Sequence, residues 1–409
     1  MIGFFPVQTE GTLQVGRFEE FLSSLEEPEF LKEFRKKADT LLQSAKFPDS
    51  HLESWRKLNL SNFRLSEYHN PCPPSSLGFA TGKFAEVKKF SELDRQDWDR
   101  LRPLLEAFLS SYESEWITLL AASRFTHAYY IKLLNEVSDD FLPEISVDCE
   151  GGDFILPLLV IDVPDRLKGR FSERWKSPSK EGFVFMNGIT LLNIRAEADF
   201  QYSALENLGD STFRFRTVRA FQERDSKFHA SLAIWGGYKG KAFFDSEVVG
   251  KGAWTRYAGL SPLCKREFQD TEIRILHKES HAQSSILFRV VARDKAHNVF
   301  TGNLHIPSNC KDVSAVQINN NLLLDRTARA ESIPKLEVFA DSVKCEHGAT
   351  VGEIDDEQLF YLASRGISKD EARRMIVEGF LAEVIREFPS ESIREELTGM
   401  IETRMLGEA

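Results

Sequence analysis

The chain has 409 residues, of which 42% are hydrophobic and 28% are charged. These proportions are ordinary for a globular protein, and they exclude a mainly disordered chain or a collagen-like repeat. Lys and Arg total 52 against 63 Asp and Glu, which gives a net charge of −11. We expect no nucleic-acid partner, because binding to phosphate backbones requires clustered excess cationic charge.

The sequence shows neither a membrane span nor a secretion signal. No stretch of about 18 apolar residues occurs, and residues 1–16 lack both a basic start and a long apolar run. The five cysteines are scattered and never form a C-x-x-C pair, which argues against a disulfide framework or a preformed metal site. We therefore expect a cytoplasmic protein that does not contact a membrane.

The first zone, residues 1–143, has helical periodicity. Apolar residues recur at helical spacing in two runs, 18–38 and 91–125. A loop rich in proline and serine, residues 70–76, separates the two runs. These features predict an N-terminal helical region.

The second zone, residues 144–352, is typical of short β-strands. From Phe300 to Ile306, one face carries Phe, Gly, Leu and Ile and the other carries Thr, Asn and His. Asn319, Asn320 and Asn321 can stack their amide groups between successive coils of a solenoid. The pattern alone predicts a mainly β unit and leaves both a β-helix and a β-sandwich open.

The third zone, residues 353–409, is predicted to be helical again. Asp355 or Asp356 can cap a helix that Gly366 ends. Ser368, with Glu371 three residues later, can cap a second helix. We expect a separate C-terminal helical domain.

No catalytic motif is present in the sequence. It contains no G-x-x-x-x-G-K-[ST] phosphate loop, no G-x-S-x-G nucleophile elbow and no H-E-x-x-H zinc motif. We therefore assign no catalytic residue and expect the chain not to be an enzyme.

One short segment combines a thiol and an imidazole. Cys345 and His347 are two residues apart, so in an extended strand their side chains point to the same face. They are candidate metal ligands, because thiolate and imidazole suit soft and borderline metals. Two ligands make an incomplete site, and the remaining ligands would have to come from elsewhere in the chain or from a second chain. The alternative is that both residues simply pack at the end of a strand.

Several stretches of the chain are typical of a single family. They are Asn319 to Leu324, Ile333 to Val338, Val343 to Gly352 and Gln358 to Ile367, with Val299 to Gly302 and Glu53 to Leu58 upstream. With these stretches the chain resembles the SufB/SufD family of iron–sulfur cluster assembly proteins. The form H-G-A-T-V-G at His347 to Gly352 is typical of the SufD branch of that family.

The chain departs from the SufB branch at two positions. Asn319 stands where that branch carries its proposed cluster-building cysteine, and Gly348 stands where it carries a glutamate after the histidine. The resemblance therefore implies that the chain alone neither builds a cluster nor holds a cofactor stably.

The resemblance implies a fold and a set of partners. The core would be a right-handed parallel β-helix, residues 144–352, between helical regions 1–143 and 353–409. This core would pair with SufB, or with a second copy when SufB is absent, and the C-terminal domain would bind the ATPase SufC. A nascent Fe–S cluster would form at the SufB–SufD interface near His347, with Cys345 as a weaker candidate. The assembled complex is also associated with reduced flavin and with iron acquisition.

Four residues of the C-terminal domain are candidate contacts with the ATPase: Phe360, Tyr361, Arg365 and Gly366. Aromatic residues and arginine dominate interface energetics, although these aromatics would alternatively pack inside the helical domain. Two other functions remain as alternatives. One is a β-helix enzyme that acts on polysaccharide, and the other is a homodimeric structural protein.

Overall fold

The computed structural model describes residues 7–9, 12–14, 18–136, 141–179 and 181–406. The rest of stretch 1–16, for which we expect no secretion signal, lies outside these ranges. Among the described residues, no helix is long and apolar enough to cross a membrane. The helices in these ranges are α1 (Phe18–Ser23), α2 (Glu29–Ser44), α3 (Arg95–Ser111), α4 (Trp116–Arg124), α5 (Asp356–Ser364), α6 (Lys369–Ile385) and α7 (Glu391–Ile401), and a π-helical turn, Glu402–Leu406, follows α7.

The first four strands precede α3, and the remaining strands occupy most of the chain between α4 and α5. In order they are β1 (Val7–Thr9), β2 (Thr12–Gln14), β3 (Leu77–Ala80), β4 (Ala85–Lys89), β5 (His127–Leu133), β6 (Glu144–Asp148), β7 (Phe154–Ile155), β8 (Pro157–Val163), β9 (Lys168–Lys176), β10 (Val184–Ile194), β11 (Asp199–Leu208), β12 (Thr212–Gln222), β13 (Lys227–Gly236), β14 (Lys239–Val248), β15 (Trp254–Leu263), β16 (Phe268–His277), β17 (Gln283–Ala292), β18 (His297–Ile306), β19 (Val313–Leu323), β20 (Arg329–Val338) and β21 (Val343–Glu353).

The strands from β8 to β21 alternate along the chain between two sheets. Sheet I has the order β4-β5-β8-β10-β12-β14-β16-β18-β20, and sheet II has the order β3-β6-β9-β11-β13-β15-β17-β19-β21. Neighbours from β8 and β9 onward pair in parallel, so each coil of two strands stacks on the one before it. The chain thus forms a parallel β-solenoid of about eight turns with helices at both ends. The β-helix prediction is confirmed, and the β-sandwich alternative is wrong.

The two sheets begin earlier than the second zone of the sequence. Strand β5 pairs in parallel with β8, and β3 and β4 pair antiparallel with β6 and β5. These strands differ from the helical region that we predicted for residues 1–143. The strand β5 contains two tyrosines and an isoleucine, which favour a pleated surface.

The corners that lead into sheet II share one backbone feature. Arg166, Glu197, Asp225, His281 and Asp312 all have positive φ values between 53° and 62°. Gly252 occupies the equivalent corner with φ of +77°. A residue in the left-handed region reverses the chain sharply, and this feature recurs every 27 to 31 residues, once per coil.

The interior of the solenoid is apolar with a buried charged cluster. Val218 of β12 belongs to the interior core, and Arg214 and Arg216 share its inward parity with almost no exposed surface. Arg216 forms ion pairs with Glu173 of β9 at 2.7 Å and with Glu206 of β11 at 2.9 Å. The two positive and two negative charges balance, as buried ions require if they are to avoid the full cost of desolvation.

The N-terminal region covers the outer face of sheet I, and C-terminal helices cover the outer face of sheet II. On sheet I, Phe63 lies 5.1 Å from Phe213 and Trp55 lies 6.0 Å from Phe215, measured between ring centroids. Helices α6 and α7 cover sheet II with apolar side chains that meet those of β11 to β19. Members of this second cluster include Val377, Leu381, Phe388, Ile393, Leu397, Leu205, Trp235, Leu260, Leu287 and Val291.

Candidate functional site

The last coil of the solenoid is formed by β20 and β21, the C-terminal edge strands of the two sheets, and we call this end the open end. Among the described residues, each of these strands pairs with a neighbouring strand of its sheet on one side only. Their residues are partly or fully exposed, whereas every residue of the inner strand β12 is buried. An edge strand with accessible backbone groups is a template for pairing with another chain.

Cys345 and His347 both lie on β21 at the open end. Their register partners on β19 are Ala315 and Gln317. Cys345 is partly buried against the interior core, and this burial raises the pKa of its thiol. His347 is exposed. The structure therefore places the imidazole at the accessible margin and keeps the thiol protonated against the core, which disfavours its use as a thiolate ligand.

The surroundings of this pair do not complete a metal site. Within the described part of the chain, no group of three or more His, Cys, Asp and Glu residues could hold a metal ion. Glu346 alternates to the other face of β21 and pairs with Lys344 at 3.2 Å. The role of His347 and Cys345 as cluster ligands stays a prediction.

The asparagine run behind β21 ties three coils together. The Nδ2 of Asn321 donates to Oδ1 of Asn319 at 2.8 Å and to the Thr350 carbonyl of β21 at 2.9 Å. The Nδ2 of Asn319 donates to the Phe288 carbonyl of β17 at 3.1 Å. These amides reach neighbouring coils through backbone carbonyls and not by stacking on other side-chain amides, so the predicted amide stacking is not what joins the coils. Asn319 is thus engaged with the backbone and holds the open end in register.

An N-terminal element also reaches the open end. Lys57 pairs with Glu331 of β20 at 2.5 Å, and Glu53 lies 3.6 Å from Lys335 of the same strand. Sequence reasoning noticed the Glu53 to Leu58 motif without predicting this contact. Exposed ion pairs contribute little stability, so their consequence is to bring the N-terminal element beside the last coil.

Helix α5 presents its aromatic residues to solvent. None of its nine residues is buried, and Phe360 and Tyr361 are 76% and 57% exposed. The Nη2 of Arg365 donates to the Tyr361 hydroxyl at 3.1 Å, and its guanidinium lies 5.2 Å from the ring centre. The alternative that these aromatics pack inside the helical domain is wrong.

Both ends of α5 are fixed by its caps. The Asp355 carboxylate accepts from the Glu357 N–H at 2.9 Å, and Gly366 ends the helix with φ of +84°. An open groove of about 400 Å³ runs beside the helix. It is lined by Asp355, Glu357, Gln358, Tyr361, Leu362 and Ile376.

The C-terminal helices are anchored to sheet II through Glu387, which lies just after α6. Its carboxylate is 3.2 Å from Nε2 of His229 and accepts from Nε of Arg256 at 3.2 Å. The Glu387 carbonyl accepts from the Ser231 hydroxyl at 2.9 Å. His229 first, and then Arg256, lower the pKa of Glu387 to about 2. Sequence reasoning missed this anchor, because its partners lie more than 130 residues upstream.

Comparison with known families agrees with this geometry. The family model described as "SUF system FeS cluster assembly, SufBD core domain" matches residues 148–380, more than half of the chain. This chain belongs to the SufBD core family. The matched region runs from β6 through the open end and α5 into α6, so it contains every candidate site residue.

Several curated proteins are similar to this SufBD family member. They include iron–sulfur cluster assembly protein SufD of Escherichia coli, 32% identical over 53% of this chain and 52% of the relative. The chloroplastic protein ABCI7 of Arabidopsis thaliana is 28% identical over 55% of this chain and 47% of the relative. A SufBD family protein of Synechocystis is 27% identical over 50% and 46%. The chain spans about half the length of the curated relatives it matches.

The Glu387 anchor predicts a pH-dependent contribution to stability. The folded-state pKa of about 2 lies below the ordinary value of 4.5, so the anchor stabilises the fold above about pH 4.5. This stabilisation is lost as pH falls from 4.5 toward 2. We expect Glu387→Gln to lower the free energy of unfolding at pH 7 by about 1–3 kcal/mol, measured by urea titration. The gap between variant and parent should shrink toward pH 3, and a gap that stays constant would contradict the assignment.

Proposed function

We propose that this SufBD family chain is a non-enzymatic scaffold subunit of a SUF iron–sulfur cluster assembly complex. It pairs with a SufB-type chain through the open end and with a SufC-type ATPase through α5. The observation that carries this proposal is the open end itself, where two parallel sheets stop together with accessible edges. A partner that adds strands there satisfies the backbone groups of both edges at once.

The nascent cluster is the cargo of such a pair. His347 lies at the accessible margin of β21, and a neutral imidazole is a suitable iron ligand. The sister chain supplies the remaining ligands, so a cluster forms only after pairing. Cys345 packs against the interior core. It is a second candidate ligand, and its thiol must lose its proton before it can bind iron.

The ATPase docks on a different surface. Helix α5 offers Phe360 and Tyr361 beside an open groove, which suits a helix-in-groove interaction. Because α6 and α7 are packed onto sheet II, a force applied at α5 is transmitted to the solenoid. Gly366 lets the chain turn between α5 and α6 and serves the docking surface indirectly.

The same reasoning extends to the cofactors and the compartment. We propose that iron acquisition and reduced flavin belong to the assembled complex, and that the chain alone holds neither flavin nor cluster. We also propose a cytoplasmic location, because all five cysteines are present as thiols, as is usual in a reducing compartment.

The alternative functions have less support. A polysaccharide-acting β-helix enzyme needs an accessible groove on a solenoid face, but the N-terminal region and the C-terminal helices cover the outer faces of the two sheets here. A homodimer would use the same open end as the SufB-type partner. When this chain is mixed with a SufB-type chain, the composition of the complex that forms distinguishes a homodimer from a pair with the SufB-type chain.

Substituting His347 tests the cargo site. We expect His347→Ala to assemble normally with its partners, since the side chain is exposed, and to lower iron and sulfide content several-fold after anaerobic co-purification. Glu346→Ala is the matched control, because Glu346 is exposed on the opposite face of the same strand. Equal iron and sulfide in His347→Ala and the parent complex would refute the role of His347.

Charge substitutions on exposed aromatics test the two docking surfaces separately. We expect Phe360→Asp with Tyr361→Asp to weaken ATPase binding at least 100-fold, because buried interface aromatics are dominant contacts, while SufB-type pairing persists. Phe339→Asp is the reciprocal control, since Phe339 is 62% exposed directly after β20. It should weaken SufB-type pairing and spare the ATPase. Pull-downs that recover the ATPase equally with the double variant would contradict the α5 assignment.

A further inference from the structure

Two cysteines far apart in sequence meet in the first coil of the solenoid. Cys72 lies in the loop before β3, and Cys149 directly follows β6. Both side chains are buried, and their Sγ atoms form a contact of 2.8 Å. An S–S bond measures about 2.0 Å, so less than 1 Å of movement separates this contact from a covalent link.

The backbone holds both cysteines in place. The Cys72 N–H donates to the Phe154 carbonyl at 2.8 Å, and the Cys149 N–H donates to the Lys176 carbonyl at 3.1 Å. At Gly152, a Cβ atom would lie only 2.7 Å from the Cys72 nitrogen. Glycine is therefore required for the close approach of the two loops.

A polar contact beside the thiols joins the same two loops. The Nδ2 of Asn70 donates to Oδ2 of Asp153 at 2.8 Å, and the Asp153 N–H donates to the Asn70 carbonyl at 2.7 Å. These bonds fix the two loops to each other beside the thiol contact, so the sulfur atoms are pre-organised for bond formation.

The thiol pair lies just below the surface. Pro73 and Pro74 after Cys72, and Glu150 and Gly151 after Cys149, are all exposed. Local opening of a surface loop is a low-energy event, so small oxidants reach the pair without global unfolding. The buried thiol of Cys264 has a different environment, since it lies 3.3 Å from Nη2 of Arg404.

We propose that Cys72 and Cys149 are a redox-active dithiol. The two cysteines form a reversible disulfide with each other, and the oxidant is a low-molecular-weight disulfide such as oxidised glutathione. One thiolate attacks the glutathione disulfide and releases one glutathione. The second thiolate attacks the resulting mixed disulfide and releases the other glutathione. Both cysteine protons leave to solvent or to the departing thiolates, the two cysteines are oxidised, and oxidised glutathione is reduced to two thiols.

The disulfide locks the N-terminal part of the molecule onto the solenoid. The chain between the two cysteines contains β3, β4, α3, α4, β5 and β6, so one bond closes this whole segment into a loop. The lock lies at the end of the solenoid opposite the open end. It therefore changes stability and leaves the partner-pairing edges untouched.

Peptide mapping of the full chain tests the proposal directly. Native protein is equilibrated with reduced and oxidised glutathione, quenched with N-ethylmaleimide and digested without reductant. We expect a cross-linked peptide that contains Cys72 and Cys149 and disappears with dithiothreitol, and a melting temperature several degrees higher in the oxidised protein. Recovery of both cysteines as alkylated or singly glutathionylated residues would overturn the proposal. A cross-link without a rise in melting temperature would overturn the stabilising role of the disulfide.

Variants give a second measurement. Cys72→Ser and Cys149→Ser should each abolish the oxidant-dependent rise in melting temperature, and Cys264→Ser should keep it. The mapping of the parent protein stands even if one variant folds poorly. An oxidant-dependent rise that persists in Cys149→Ser would contradict the assignment of the pair.

Discussion

The structure depends on one constraint, the parallel pairing of each coil with the next. Every strand of an inner coil satisfies its backbone hydrogen-bonding groups with the strands on both sides, as β12 does with β10 and β14. The last coil of such a stack has no following coil to pair with, so it presents two unpaired strand edges, one from each sheet. In this SufBD family chain those edges carry His347, the proposed ligand, and among the described residues no group of three or more His, Cys, Asp and Glu could hold a metal there. The proposed scaffold function rests on those edges.

The interior of the solenoid is built to keep the coils in register up to that end. The ion pairs of Arg216 lock β9, β11 and β12 together, since a shift of one residue would bury unpaired charges. Asn319 and Asn321 join the last three coils of sheet II through backbone carbonyls. Helices α6 and α7 pack on sheet II and leave α5 exposed, so the proposed docking surface is separate from the proposed cargo site.

Period-two alternation predicted the β-rich middle of the chain, and the family resemblance predicted the solenoid, because both are local signals. The helical prediction for residues 1–143 missed β3, β4 and β5, which depend on pairing with distant strands. The sequence did not reveal the repeat, since the left-handed corner of each coil is filled by Arg, Glu, Asp, Gly or His without a common residue type. In β12 the alternation is real, yet the phenylalanines face the N-terminal region outside the solenoid and Arg214 and Arg216 face inward. The Glu387 anchor and the Lys57 contact depend on distant partners, and only the folded chain brings them together.

Hydrogen exchange at the open end tests the central claim most directly. The backbone amides of residues 343–353 should exchange rapidly in the dilute single chain and become strongly protected when a SufB-type chain is added. The amides of inner strands such as β12 should stay protected in both samples. If a stable complex formed and the exchange of residues 343–353 did not slow, the open end would not be the pairing surface and the account would be contradicted.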